Sequence, residues 1–117
     1  MGGTLRKHST ETTDRAWNGS RMRTRLGAAD ASTLRKAHAW SDPGGDPGNK
    51  GSYKFIHHDV GPRGTVRAAN VRACISGIGV LNGGRGGAAI PAADRRGVYG
   101  HLAKHLQDAG HEPPPLK

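Results

Sequence analysis

Large aromatic side chains are scarce in this chain. Two Trp, two Tyr and one Phe are all it has in 117 residues, and the hydrophobic share is 33%. That is below the apolar share of an ordinary globular domain, so the core is expected to be thin. About half the chain is expected to fold on itself, with the rest extended or ordered by a partner. Only one Cys is present, which excludes an internal disulfide and a thiolate-rich zinc site. That Cys74 lies in an apolar run and reads as a small buried residue. No run approaches the ~18 apolar residues that would suggest a bilayer-crossing helix. Arg6 and Lys7 near the start are not followed by an apolar stretch, so no secretory signal is expected.

Acidic residues are also few. Nine Asp and Glu stand against 18 Lys and Arg, for a net charge of +9. Most of the cations are arginines and both halves of the chain carry them, so the whole surface should favour an anionic partner. Catalytic motifs are missing. The glycine-rich "NGGRGGAAI", Asn82 to Ile90, lacks a preceding strand and the Gly-Lys-Ser/Thr ending of a phosphate loop. No glutamate follows His101 as in a helical zinc protease, and no nucleophile elbow is present. The chain is read as a non-enzyme without a cofactor and with no catalytic residue.

The pattern that remains is mainly α: two to three helices plus a short extended segment, with a long extended N-terminal arm. Residues 1–29 show no sustained period and read as an extended basic arm. Within it, Arg21, Arg23 and Arg25 alternate, which would align them on one side of an extended segment. Residues 30–52 read as a short helix over Ala31–Trp40, N-capped by Asp30, followed by a loop of two Asp-Pro-Gly turns. Residues 53–117 read as a compact helical domain. It comprises an extended Tyr53–His57, a helix over Val66–Leu81 with Val71, Cys74, Ile75, Ile78 and Leu81 on its apolar face, and a helix over Pro91–Ala109 capped by Gly110. Tyr53, Phe55 and Ile56 are expected to pack on the first of these helices.

"YKFIHHDV", Tyr53 to Val60, sets two histidines beside an aspartate. His57, His58, His101 and His105 are the nearest thing to metal candidates. His101 and His105 are spaced i, i+4, so both could reach one ion. The more common outcome for such residues is a core histidine whose ring N–H is bonded to backbone, and no metal site is assigned. Trp17 in "RAWNGSRMR" is an apolar anchor in the arm. With Arg15, Arg21, Arg23 and Arg25 it forms the candidate partner-binding set.

These stretches and their order resemble a small domain of tailed-phage head modules, found alone or attached to prohead proteases. The matching residues are Trp17 to Ser20, Tyr53 to His58, Arg85 to Pro91, Tyr99 to His105 and Glu112 to Pro114. Phe55-Ile56 departs from the Leu-Pro usual there, and Gly77 and Gly79 are additional. The resemblance implies a virion protein: a minor capsid or decoration protein that binds and stabilises the major capsid protein shell in many copies, touching copies of itself on neighbouring sites. It would be located in the capsid, and in the host cytoplasm during assembly, with no membrane partner. The alternatives are a small basic nucleic-acid-binding protein and an assembly factor linked to the prohead protease.

Overall fold

Residues 3–84 and 87–117 are described by a computed structural model. They form an α+β domain, not a mainly α one. The helices are α1 (Gly19–Leu26), α2 (Ala31–Ala37), α3 (Val71–Leu81) and α4 (Arg95–Asp108). The strands are β1 (Thr12–Thr13), β2 (His38–Ser41), β3 (Tyr53–Ile56), β4 (His58–Val60) and β5 (Val66–Asn70). One sheet has the order β1-β5-β4, with β1 parallel and β4 antiparallel to β5; the other is the antiparallel pair β2-β3. Arg85 and Gly86 of the Arg-Gly-Gly motif lie outside the described residues.

The extended arm is the main correction. Gly3 to Leu5 lie along β2, with Leu5 N donating to Ala39 O at 3.0 Å and Ser41 N to Gly3 O at 2.9 Å. Further on, β1 pairs with β5 in the register Thr12↔Ala69. The segment thus lies beside both sheets, satisfying backbone groups that an edge would leave open. Residues Gly19–Leu26 are helical. Asn18 caps α1 by accepting from Arg21 N at 3.0 Å, and Met22 and Leu26, four apart, are the buried side chains. Helical geometry therefore replaces the expected alternation at Arg21, Arg23 and Arg25: residues two apart on a helix point in roughly opposite directions. Trp17 folds back and is half-buried against the group containing Met22, Leu34 and Tyr53.

Three further boundaries differ from the sequence expectation. The helix expected over Pro91–Ala109 begins at Arg95, after a short 3-10 turn at Ala92–Asp94. The helix begun at Asp30 stops at Ala37, and His38–Trp40 continue as β2. Val66–Asn70 is a strand, so the expected Val66–Leu81 helix begins at Val71. Asn70 makes that switch. Its Oδ1 accepts from Ala73 N at 3.1 Å, while its Nδ2 donates to Asp59 Oδ1 at 3.0 Å and Arg15 O at 3.1 Å. Replacing Asn70 by Ala removes the cap and leaves a buried carboxylate oxygen without its donor. The expected cost is about 2 kcal/mol, read as a fall in the urea midpoint at unchanged slope.

The core lies in two groups. Trp40, Cys74, Ile78, Leu81, Val98 and Leu102 join α3 and α4 to β2. Gly77 lets those helices close: a Cβ there would sit 2.9 Å from Leu102 Cδ1. Ile75, placed on the apolar face by the sequence, is 43% exposed. Phe55 packs on this group, whereas Tyr53 and Ile56 join the second one with α1 and α2, so the three do not share one helix. Both Asp-Pro-Gly stretches form the expected turns, with Asp42 Oδ1 and Asp46 Oδ1 each accepting from the glycine two residues on at 2.9 Å.

Candidate functional site

Four histidines from three parts of the chain converge. His8 comes from the N-terminal segment, His57 from the link between β3 and β4, and His101 and His105 from successive turns of α4. One ring nitrogen of each lies within 4.8 Å of those of the others. A fifth ring, His58, touches the group through His8, with the two Nε2 atoms 3.1 Å apart. His57, His101 and His105 are at most 1% exposed, and His8 is half-buried. The sequence named four of the five rings; it missed His8, which had been assigned to the arm.

Backbone carbonyls fix the tautomers. His57 Nδ1 donates to Phe55 O at 2.9 Å, His58 Nδ1 to Arg67 O at 2.7 Å, and His101 Nδ1 to Leu5 O at 2.9 Å. A carbonyl only accepts, so each of these Nδ1 atoms carries the proton and each neutral ring presents a bare Nε2. Phe55 reaches its position with a φ of +63°, uncommon for a non-glycine residue. Among the described residues, His57 Nε2, His101 Nε2 and both nitrogens of His105 find no protein partner. His57 Nε2 and His101 Nε2 thus present buried lone pairs, and His105 presents one lone pair and one N–H, with no hydrogen-bond partner among the described residues.

Protonation is a poor remedy. Burial holds the imidazole of His57 well below its usual range, with His58 and His101 adding repulsion. Burial likewise lowers His58 to about 4 and His105 to about 3. It also lowers His101 and His8, the latter with help from the Lys104 ammonium. The nearest acid acting on His105 is Asp108, which is paired with Lys104 at 2.8 Å. Neutral imidazoles with fixed tautomers are suited to ligating a borderline cation such as zinc.

Asp59, the acid of "HHD", faces the other way. It bonds Asn70 and so serves the strand-to-helix switch. Cys74 is fully buried, with its thiol pushed up to about 12 by burial, consistent with a packing residue.

The candidate partner-binding residues do not form one patch. Arg15 and Arg25 line a groove with Asp59 and Arg67, and Arg25 Nη1 donates to Val60 O at 3.0 Å. Arg21 and Arg23 project from α1, and Trp17 lines a separate groove with Phe55 and Gly77. A more concentrated cationic surface was not singled out in the sequence. Arg6, Lys7, Arg35 and Lys36 line one groove with His8, and Lys36 and Arg63 line another with Thr33. Among the described residues, no acidic one lines either groove. Family models, curated proteins and solved structures were all compared with this chain, and none matches.

Proposed function

We propose that this chain is a structural protein of a tailed-phage head, a minor capsid or decoration protein that binds the shell of the major capsid protein. The phage-head-like motifs bring in the particle, and one structural observation supports an acidic protein surface as the partner. That observation is the groove of Arg6, Lys7, Arg35 and Lys36, which no carboxylate lines among the described residues. Among the described residues the one ion pair is Lys104–Asp108, so the cations of this face have no internal carboxylate partner. Single-stranded nucleic acid is served less well. Trp40 and Tyr53 are 5% and 2% exposed, and the other three aromatics are half-buried, which leaves no open platform for stacked bases.

The test is occupancy. The protein is expected at a fixed stoichiometry in purified mature particles by quantitative mass spectrometry, and particles lacking it should release DNA at lower temperature. Reversing Arg35 and Lys36 together to Glu should weaken binding to empty shells by about tenfold, because exposed ion pairs contribute only ~0–1 kcal/mol each. Absence from mature particles, or tight binding to free DNA with none to shells, rejects the reading.

A further inference from the structure

We propose that His8, His57, His101 and His105 hold one zinc-class divalent cation, and that this ion fastens the N-terminal segment to the domain. The inference goes beyond the capsid reading and does not depend on it. Three buried rings each bring an unpartnered ring nitrogen to within 4.8 Å of the others, and such a cluster of unmet lone pairs calls for a cation. The donor set is all nitrogen. It therefore favours Zn(II), Co(II), Ni(II) or Cu(II) over Mg(II) and Ca(II), which take oxygen ligands. A tetrahedral zinc with bonds of about 2.0–2.1 Å sets its nitrogens about 3.4 Å apart. One nitrogen of each ring lies within 4.8 Å of the others, so a closure of about 1.4 Å completes the shell.

Outer partners are in place for three of the four ligands, His105 being the exception. Ligating histidines ordinarily donate their second N–H to a carbonyl or carboxylate, which orients the ring and raises its basicity. His57 and His101 do this to Phe55 O and Leu5 O. His58, held by Arg67 O, offers its bare Nε2 to His8 Nε2, which leaves His8 Nδ1 as the ligand atom.

The site also joins the N-terminal segment to α4 and to the β3–β4 link. His8 is borne by the N-terminal segment, and Leu5 O of the same segment accepts from His101 Nδ1. Apart from these contacts, the segment is tied down mainly by backbone pairing with β2 and β5 and by Gly3 N donating to Asp94. His8 is the one half-buried ligand and lies on the groove with Arg6 and Lys7, so the site is completed as the segment docks.

The experiment uses the free full-length chain with no shell, so its failure is distinct from that of the capsid reading. After chelation and gel filtration, zinc is added back and bound metal is measured by plasma mass spectrometry. Stoichiometric zinc, a raised melting temperature and slowed amide exchange across Leu5–Thr10 are expected. Cobalt in place of zinc should give the intense visible absorption of a tetrahedral site. His8→Ala should lose affinity at least ~100-fold while keeping the circular dichroism of the parent, and His111→Ala, on an exposed residue, should change neither. Substoichiometric metal that gel filtration removes, an adventitious ion only, overturns the proposal. So does cobalt absorption that survives unchanged in His8→Ala.

Discussion

Trp40→Ala is expected to cost about 3–5 kcal/mol, the range for removing a buried Trp or Phe ring. Trp40 is 5% exposed and packs with Val98 and Leu102 of α4. Its indole Nε1 donates to Asp94 Oδ2 at 2.9 Å, and the same oxygen accepts from Gly3 N at 3.0 Å. Those two bonds hold the Asp94 carboxyl below its usual range. Trp40 also bridges to Thr4 and pairs with Lys54 across β2-β3, so one residue joins the N-terminal segment, the small sheet and the entry to α4. The substitution empties a ring-sized space and removes one of the two donors to Asp94. A domain of this size has about 5–15 kcal/mol in total, so the loss takes about a fifth of it at least. Trp40→Phe retains most of the volume and should lose about 1 kcal/mol for the hydrogen bond, with a smaller packing cost. Urea unfolding followed by circular dichroism and by Trp17 fluorescence measures both variants. A loss under 1 kcal/mol for Trp40→Ala would show that the indole does not organise this junction.

Local signals in the sequence were sound where side chains act on their own backbone. Asp30 caps α2, Gly110 takes a φ of +79° after α4, and the Asp-Pro-Gly stretches turn as expected. The stripe of Val98, Leu102 and Leu106 identifies the buried face of α4. Pairing between distant segments was not legible. β1 has two residues, and Gly3–Leu5 dock on β2 through main-chain groups that every residue carries. α1 was hidden because only Met22 and Leu26 of its eight residues are buried, and the arginines between them suggest a solvated arm. β5 is hard to read because Ala68 and Ala69 favour helix, although Asn70 is a good cap residue in the position that ends the strand. For the histidines, the i, i+4 spacing on α4 and the "HH" pair were readable. The approach of His8 was not, because it follows from docking a segment 49 residues earlier in the chain than His57. The loss of one expectation also changes another: with the N-terminal segment folded onto the domain, its arginines offer no long reach across a shell, and the proposed contact moves to a compact cationic face.

His38→Asn is expected to flatten the acid side of the stability curve. His38 is 2% exposed on β2, and its Nδ1 donates to Leu34 O at 2.7 Å. Burial lowers its imidazole to about 4, the carbonyl partly opposes this, and the Arg23 guanidinium on α1 adds to the lowering. The Tyr53 ring of β3 stands 5.3 Å away, and His58 of β4 is the other titrating neighbour. Because the folded-state value lies below the unfolded value near 6.5, the unfolded chain takes up the proton first. The stabilisation from keeping this ring neutral is therefore complete above about pH 6.5 and is lost as the pH falls towards 4. The span corresponds to about 3 kcal/mol at 1.36 kcal/mol per pKa unit. Asn retains a short donor for Leu34 O but cannot titrate, so the variant pays a fixed cost at neutral pH and escapes this slope. The other buried histidines are common to both chains, so the difference between the two curves reports His38 together with its repulsion of His58. Urea midpoints in chelator from pH 7.5 to 4 should converge as the pH falls, with the parent losing about 3 kcal/mol more than the variant. Parallel curves would mean that the His38 ring is protonated in the folded chain as readily as in the unfolded one, and that its burial against Leu34 and Tyr53 does not govern its charge.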